Sequence, residues 1–443
     1  MPPADWTYSP VPEVDDAVGR IRRKYPVSFL PGLDPILLLL EKLGNPHRRL
    51  PFVFHVAGTN GKGSSLAFLQ AVFEAAGLRV HKYVSPHLVR FEERIIIAGK
   101  EIDPQTLLEL IGECARAAGD DPVSFFEFFT AVSFLAHTRH PADALLLETG
   151  LGGLYDATNV VGGDRLMSLL TRISYDHTGI LGPTLREIAV NKAGIIKPRR
   201  PCVIAHQTSP DVIDVFLRRA EAAGAPVALY GRDWETVAES GGFEYKSRKN
   251  RFRLPPPRLP GRHQVCNAGA ALAALENSPY ASLLQQKILE RAMSGVFWPG
   301  RLEHVTAGPL AGLLPEGWEL WLDGAHNDSG AEVLADQAEV WGTDKPLHLV
   351  TAMKNTKDAA GFYHPLLAHA ATVQAMEADW TDAQMASAED ICGQIRQMGY
   401  DLVKTSPNLE SALRSLVFQF PTPQRILVTG SLYLVGRVLR EQY

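Results

Sequence analysis

The stretch His55-Val-Ala-Gly-Thr-Asn-Gly-Lys-Gly-Ser64 decides the fold, because an apolar run precedes it and a helical pattern follows it. Residues 51–57 are typical of a buried strand, and residues 66–76 repeat apolar side chains at helical spacing up to Gly77. Glycines in such a turn let backbone N–H groups approach phosphate oxygens, and the helix N-terminus adds a favourable dipole. The segment therefore predicts a phosphate-binding loop in which Lys62 reaches the terminal phosphates, although its glycine spacing differs from G-x-x-x-x-G-K-[ST]. The loop residues that we assign to a nucleotide are Gly58, Thr59, Asn60, Gly61, Lys62, Gly63 and Ser64.

Apolar runs and helical patterns alternate on both sides of this loop. Such alternation is typical of an α/β domain whose mostly parallel sheet is covered by helices on both faces. The predicted strands are 80–84, 144–147, 166–170 and 201–205, and the predicted helices are 105–118 and 122–137.

The pattern changes around residues 225–265, where short aromatic strand-like pieces lead into the proline-rich segment 254–261. Phe297-Trp-Pro-Gly300 is the best linker candidate, and a second α/β alternation follows it. We therefore predict an α/β domain at 1–298 and a second, smaller α/β domain at 299–443. Before the linker, the predicted elements of this region are strands at 227–230 and 242–245 and a helix at 266–276. After the linker, the predicted strands are 318–322, 347–351, 371–375 and 425–429.

The composition excludes several classes of protein. Of the 443 residues, 46% are hydrophobic and 21% are charged, which is typical of a globular chain and not of a disordered one. Lys and Arg number 44 against 49 Asp and Glu, so the net charge of −5 gives no signature of nucleic-acid or membrane binding. The N-terminus lacks a secretory pattern, and the four scattered cysteines suggest neither a zinc site nor disulfides. We expect a monomeric cytoplasmic protein with reduced thiols and no nucleic-acid or membrane partner.

Polar side chains follow three further predicted strands. Glu148 ends one strand, Asp176 and His177 follow the next along the chain, and Ser85 follows the strand at 80–84. Ligands of open α/β sheets gather at the carboxyl ends of the strands. Ser85 and Glu148 offer the oxygen ligands that Mg²⁺ prefers, whereas His177 is a less usual ligand and fits equally well as a core histidine with one hydrogen bond.

Two other features are less specific. Lys192 lies in a helical pattern that ends at Gly194, where a lysine is usually a solvated surface residue. Asp323-Gly-Ala-His-Asn327 closes a predicted strand of the second domain, and this group of polar residues beside an apolar strand favours a site over a simple turn.

Together these motifs resemble the folylpolyglutamate synthase/dihydrofolate synthase family of the ATP-dependent Mur ligase superfamily. The resemblance runs in order across nearly the whole chain. The segments that carry it are 43–46, 55–64, 85–88 with 93–95, 126–128, 148–159, 176–177 with 181–182, 192–195, 261–264 with Asn267, 298–303, 323–327 and 430–436.

The resemblance implies a Mur ligase-like fold, with a P-loop-type ATPase domain with a mostly parallel sheet at 1–298 and a smaller, Rossmann-like α/β domain at 299–443. It also implies an ATP-dependent ligase that joins L-glutamate to 7,8-dihydropteroate and to the γ-carboxylate of reduced folates through an acyl phosphate. It implies two Mg²⁺ ions, one held by Ser85 and Glu148 and the other by Glu148 and His177. Lys192 matches a lysine that is carbamylated in relatives, which would place an anion beside the metal.

The resemblance also implies a nucleotide between the two domains. Asn267, Arg301 and Asp323 match residues that contact its base, phosphate and ribose. The catalytic residues implied are Lys62, Lys192, His177 and His326, with His326 on the side that receives glutamate, and the pterin side is assigned to Phe125, Phe126 and Asp156.

Two positions depart from the family pattern. The family usually has arginine where this chain has Leu154, in Gly-Gly-Leu-Tyr-Asp156, and commonly glutamate where it has Asn191. The first change leaves the metal and phosphate groups intact and puts contacts to the pterin or its tail in question. The alternatives are an enzyme with one of the two activities, a peptidoglycan ligase of the Mur type, and a nucleotide-binding regulator without catalysis. The segments 85–87 and 323–327 argue against the peptidoglycan ligase, and an intact set of catalytic groups argues against the regulator.

Overall fold

The computed structural model describes residues 8–25, 31–378 and 384–442, and these form two compact units. The larger unit contains Ser9–Arg258 and His263–Phe297. The smaller unit contains Trp298 and the described residues after it, together with Tyr8 and the short segment Leu259–Arg262. The single boundary that we place near residue 299 stays a prediction, and nothing in the sequence pattern indicated that Leu259–Arg262 packs with the smaller unit.

The larger unit is built, in the described residues, on an eight-stranded sheet of order β4-β3-β2-β5-β1-β6-β7-β8. The six strands from β2 to β8 in that order run parallel, and β3 and β4 extend the edge beside β2 as antiparallel strands. The central strands β5 and β6 are buried along their whole length, as expected for a sheet covered on both faces. The strands are β1 (Phe52–Ala57), β2 (Val80–Tyr83), β3 (Ile95–Ile97), β4 (Lys100–Glu101), β5 (Ala144–Glu148), β6 (Leu166–Leu170), β7 (Cys202–Ile204) and β8 (Val227–Leu229).

Local sequence signals fix where several helices of this unit begin. Ser124 with Glu127 and Thr184 with Glu187 form reciprocal capping boxes, and the Asp103 carboxylate accepts the N–H groups of the first turn that follows it. The helices are α1 (Pro12–Lys24), α2 (Asp34–Lys42), α3 (Lys62–Ala75), α4 (Pro104–Ala118), α5 (Phe125–Arg139), α6 (Thr178–Leu181), α7 (Leu185–Ala193), α8 (Pro210–Ala222), α9 (Arg262–Glu276) and α10 (Gln286–Gly295). A separate antiparallel sheet of order β11-β10-β9 lies between α8 and α9 in the chain, with β9 (Trp234–Glu239), β10 (Gly242–Ser247) and β11 (Arg251–Leu254).

The smaller unit contains a six-stranded sheet of order β12-β13-β17-β14-β15-β16, in which only β12 is antiparallel among the described strands. Leu349, Val373 and Leu427 of this sheet lie in one buried cluster with side chains of the helices. Its elements are β12 (Glu303–Val305), β13 (Glu319–Leu322), α11 (Asp328–Trp341), β14 (Leu347–Thr351), α12 (Ala359–Leu367), β15 (Ala370–Met376), α13 (Ala388–Gln397), β16 (Val403–Ser406), α14 (Leu409–Gln419), β17 (Arg425–Thr429) and α15 (Leu432–Gln442).

The structure confirms the predicted α/β architecture, with mostly parallel sheets in both units. All the strands predicted from apolar runs are present within a residue or two of the expected bounds. The helix α3 ends at Ala75, shortly before Gly77, which has a left-handed φ of +77°. The short strands β3, β4, β11, β12 and β16 were not predicted, because strands of two to four residues carry too short a pattern, and the six-residue strand β9 was also missed. None of the helices in the described parts of the chain has the length and apolar character needed to cross a membrane.

Candidate active site

The phosphate-binding loop connects β1 to the first turn of α3. Gly61 lies at the N-cap of α3 with a left-handed φ of +87°, and no side chain of the described residues caps this helix. The N–H groups of a first helical turn have no partner within the helix, so this uncapped end is suited to bind an anion. A Cβ atom on Gly61 would lie 2.6 Å from the Oδ1 atom of Asn267, which places that amide directly against the loop.

Residues 171–174, which follow β6 and which we call the brace, hold the loop in place. The backbone N–H groups of Thr59 and Asn60 donate to the carbonyl oxygen of Arg172 at 2.9 and 3.2 Å. The Thr59 hydroxyl donates to the Ser174 carbonyl at 3.1 Å, and the Asn60 side chain donates to the Ser174 hydroxyl at 3.3 Å. The loop conformation therefore depends on a segment more than 100 residues away in sequence.

Lys62 and Glu148 meet beside this loop. The Lys62 ammonium donates to the Thr59 carbonyl at 3.2 Å and lies 3.8 Å from Oε1 of Glu148. Glu148 is 7% exposed and ends β5, the strand that pairs with β1. On the other side of the loop, the Gln264 amide donates to the Ser64 hydroxyl at 3.3 Å. The structure thus places a cation, a buried carboxylate and a hydroxyl around one helix N-terminus.

Lys192 is buried, contrary to what is usual for a helix lysine in such a sequence pattern. It is 5% exposed, and its ammonium donates to the Gly58 carbonyl at 2.9 Å. Burial, together with the nearby charge of Lys62, lowers the pKa of Lys192 to about 7. A substantial fraction of this amine is therefore neutral near pH 7, the form in which an amine acts as a nucleophile.

The side chains predicted to hold metal ions fit a hard cation. Ser85 follows β2, which runs parallel to its neighbour β5, so Ser85 and Glu148 both lie at the carboxyl ends of these strands. His177 precedes α6 with a φ of +51°, and its exposed ring lies 3.8 Å from the Asp176 carboxylate, so it is not a core histidine. Carboxylate and hydroxyl oxygens at one edge are the donor set that Mg²⁺ prefers. Within the described ranges, no three His, Cys, Asp or Glu side chains converge on one point.

The two phenylalanines assigned to the pterin differ in their surroundings. Phe125 is 3% exposed and packs against Phe91 and Phe129, as a core residue does. Phe126 is partly exposed, and a Cβ atom on Gly150 would lie 2.5 Å from its ring. The Phe126 ring therefore packs on the segment that directly follows Glu148 and keeps an exposed face, so its assignment to the substrate is the better supported of the two.

Asp156 is occupied by internal hydrogen bonds. Its carboxylate accepts the Leu151 N–H at 2.7 Å and the Thr158 hydroxyl at 2.5 Å, and burial raises its pKa. The same Thr158 hydroxyl lies 2.8 Å from Nε2 of the fully buried His55. Asp156 therefore shapes the loop that follows β5, and its direct contact with a substrate stays a prediction. The part played by His55 was missed, because a histidine inside a strand pattern gives no signal of its partner.

Both departures from the family pattern lie at one contact. The Leu154 N–H donates to the Asn191 carbonyl at 2.8 Å, one residue before Lys192. A Cβ atom on Gly153 would lie 2.9 Å from the Lys192 carbonyl, so the loop backbone packs closely on the end of α7. The two altered residues therefore meet beside the buried lysine.

The smaller unit contains a second group of predicted site residues, at the carboxyl end of β13. The buried Asp323 carboxylate accepts the N–H groups of Leu302 and Ala325, both at 2.8 Å. Burial raises the pKa of Asp323, and the charge of Arg301 opposes this rise. The Nδ1 atom of His326 lies 2.8 Å from the Gly324 carbonyl, which orients the ring. The structure thus brings Arg301, Asp323 and His326 into one neighbourhood of this unit.

Comparisons with known proteins agree with this picture. The Mur ligase middle domain matches residues 56–275, and the dihydrofolate synthetase C-terminal domain matches residues 313–441. The dihydrofolate synthase/folylpolyglutamate synthase of Bacillus subtilis is 30% identical over 96% of this chain and 97% of its own.

Solved structures extend the likeness to three dimensions. Escherichia coli FolC in complex with DHPP and ADP is 27% identical, with a TM-score of 0.84 over 97% of both chains. A bifunctional folylpolyglutamate synthase/dihydrofolate synthase with Mn, AMPPNP and L-glutamate bound is 27% identical, with a TM-score of 0.82 over 96% of this chain and 97% of its own. The chain belongs to the dihydrofolate synthase/folylpolyglutamate synthase family of the Mur ligase superfamily.

Proposed function

We propose that this protein is an ATP-dependent ligase that joins L-glutamate both to 7,8-dihydropteroate and to the γ-carboxylate of reduced folates. The observation that carries the proposal is the group formed by Lys62, Glu148 and Lys192 around the uncapped N-terminus of α3. A helix N-terminus and a lysine bind the phosphates of ATP, while a buried carboxylate beside them binds the accompanying cation. A regulator without catalysis has no need for this complete set.

In the first step, a carboxylate oxygen of the folate substrate attacks the γ-phosphorus of ATP, and the bond to ADP breaks. Both reactants are anions, so their approach requires concentrated positive charge. Lys62 supplies it from the chain, and the N–H groups at the start of α3 hold the phosphates in line. We assign Asn267 and Gln264, which lie against the loop, to orienting the nucleotide and Ser64.

Ser85 and Glu148 would hold one divalent cation at this site, and Glu148 and His177 would hold a second. When bound, Mg²⁺ neutralises phosphate charge in the transition state. The two-ion count rests on the family resemblance, and titration of Mg²⁺ activation in Glu148→Gln and His177→Ala variants tests it.

In the second step, the amine of L-glutamate attacks the acyl carbon of the acyl phosphate. Phosphate leaves, the amide forms, and the amine loses a proton. We assign His326 to the glutamate side and Arg301 and Asp323 to the phosphate and ribose of the nucleotide. Phe126 is assigned to the pterin ring, with the buried Asp156 shaping the adjoining loop.

Lys192 is proposed to act as a carbamate. Its buried amine has a lowered pKa, so it can attack CO₂ and lose a proton to form an N-carboxylate. That change converts an amine that is cationic when protonated into an anion, so it would remove a repulsion with Lys62 and would supply an oxygen ligand for a divalent cation. Mass spectrometry of the native protein in bicarbonate tests for the expected added mass of one CO₂.

The decisive assay measures ADP release with ATP, Mg²⁺ and L-glutamate, comparing 7,8-dihydropteroate with a reduced folate. Turnover with both substrates is expected. Silence with both, in folded protein that binds ATP, would contradict the proposal and point to another acid substrate.

A single activity is the second candidate, and the leucine at position 154, where the family usually has arginine, favours it. Leu154 cannot supply the positive charge that arginine gives most relatives, so a substrate with an additional carboxylate in its tail loses a partner there. Turnover with dihydropteroate alone would establish this alternative. We further propose that the enzyme acts as a monomer in the cytoplasm, where its four free cysteines stay reduced. Light scattering of the purified protein tests the monomer.

A further inference from the structure

We propose that Gln207 is a positioning residue of the nucleotide site, acting on the phosphate-binding loop through the brace. The inference rests on the proposed function, because it presumes that the loop binds ATP. Gln207 lies just beyond β7, at the sheet edge where the loop itself lies, and it carries no motif that marks it. Among the described residues, the hydrogen bonds of its side chain reach neither the loop nor any residue that we assign to a substrate.

The Gln207 side chain joins the ends of two neighbouring strands. Its Oε1 atom accepts the Ile173 N–H at 3.0 Å, and its Nε2 atom donates to the carbonyls of Thr171 and Ala205 at 3.0 and 3.1 Å. The residue is 8% exposed. All three bonds go to backbone groups, and two of them reach the brace at Thr171 and Ile173, on either side of Arg172.

The brace passes this restraint to the loop. The carbonyl of Arg172 accepts the N–H groups of both Thr59 and Asn60, so its direction decides how the loop backbone is presented. The Ser174 N–H donates to the Thr59 hydroxyl at 3.2 Å, which adds a bond from the other end of the brace. Without the amide of Gln207, the Thr171 carbonyl and the Ile173 N–H lose their buried partners. The peptide groups on either side of Arg172 can then reorient, and the Arg172 carbonyl changes direction with them.

The position of Gln207 explains why a polar side chain is used here. An apolar side chain would fill the space and leave three buried backbone groups unsatisfied, which costs more than the packing gains. The brace also leads directly to Asp176 and His177. The Gln207 side chain therefore helps to fix the position of the phosphate-binding loop and the start of the segment that contains the proposed metal ligand His177.

The test compares Gln207→Met with a matched control, Gln374→Met, in the full-length enzyme. Gln374 is a fully buried glutamine of β15 that accepts the Ser406 hydroxyl at 2.6 Å, far in the chain from the loop. Calorimetric titration with MgADP is expected to show binding weakened on the order of 10- to 100-fold in Gln207→Met, since small misplacements of a binding group cost this much. Gln374→Met is expected to lower thermal stability with MgADP affinity within twofold of wild type. The KM for L-glutamate should change less than twofold in both variants.

A double-mutant cycle separates positioning from general loosening. Thr59→Val removes the hydroxyl bonds to the brace, and its effect on MgADP affinity is measured with and without Gln207→Met. If Gln207 acts through the brace, Thr59→Val weakens binding much less in the Gln207→Met background than in wild type. If Gln207→Met does not fold, Gln207→Glu serves instead, because it keeps an acceptor for the Ile173 N–H and places an oxygen where the amide N–H groups reach the Thr171 and Ala205 carbonyls.

Three results would overturn the inference: wild-type MgADP affinity in a folded Gln207 variant, equal loss in Gln374→Met, or strict additivity in the cycle. Absence of MgADP binding to the wild-type protein would instead refute the nucleotide site itself, and the positioning role with it.

Discussion

Replacing Gly58 by alanine tests whether the loop and the brace form one unit. The new Cβ atom would lie 2.9 Å from Cβ of Thr171 and 3.2 Å from its carbonyl carbon, with the hydroxyl oxygen closer still. Ordinary contacts begin at 3.4 Å, so the Thr171 Cβ contact alone demands a shift of 3.4 − 2.9 = 0.5 Å, and the hydroxyl demands more. Thr171 is 1% exposed and its N–H donates to the Ala57 carbonyl at 2.8 Å, so it cannot move away alone. The loop must therefore move.

The expected result is a loss of kcat/KM for ATP on the order of 100-fold, because a displacement of about 1 Å costs this much in a positioned site. Overpacking of this kind also destabilises by about 1–3 kcal/mol, which denaturant titration measures. Gly162→Ala is the control, since its Cβ atom meets nothing within 4 Å. Adding Thr171→Ala to Gly58→Ala removes the closest clash and should restore part of the activity. Unchanged ADP release in Gly58→Ala would refute the claim that the brace fixes the loop.

Three further changes test separate parts of the molecule. Lys62→Ala should lower the rate of ADP release on the order of 100-fold or more through lost charge stabilisation, whereas Lys345→Ala, which removes an ammonium of the smaller unit, should leave it near wild type. Lys192→Ala should be inactive and should regain activity with added short carboxylates; full activity without them would make this lysine merely structural. Burial raises the pKa of Glu319, but hydrogen bonds from Arg425 and Lys345 outweigh it and bring the pKa down to about 2. This carboxylate therefore stabilises the fold above pH 4.5 and loses that effect as the pH falls toward 2. The loss of unfolding free energy in Glu319→Gln, measured by urea titration, should be largest at pH 6 and smaller at pH 3.5.

The fold was predictable because its central elements carry strong local patterns. Residues 144–147 of β5 are a continuous apolar run, so this strand was placed within one residue, and the glycine turn followed by helical spacing marked α3, whose start lies four residues before the first apolar position of that pattern. Short strands such as β3, β4 and β16 lack such patterns. The packing of Leu259–Arg262 with the smaller unit was also beyond reach, because a proline-rich segment shows where regular structure stops and not where the chain docks.

The site was predictable only where chemistry is written into adjacent residues. The loop at 58–64 has a motif, and Glu148 stands at a strand end, but Lys192 looked like a surface lysine. Its burial arises because its amine reaches the Gly58 carbonyl, 134 positions away in sequence. No local window contains that contact, and only the resemblance to a family marked the residue.

Gln207 shows the same limit from the other direction. It supports the site through hydrogen bonds to backbone groups, and the sequence does not show which backbone groups are bonded, because every residue type except proline has the same carbonyl and N–H. Thr171 and Ile173 would present the same carbonyl and N–H whatever their side chains were, so no pairing pattern can reveal their partner. Reduced-folate turnover by Gln207→Met is therefore informative: if the glutamine sets only nucleotide affinity, the KM for ATP rises and kcat equals that of wild type. A kcat that stays low at saturation would show that the brace also sets the geometry of phosphoryl transfer, through the segment that leads to Asp176 and His177.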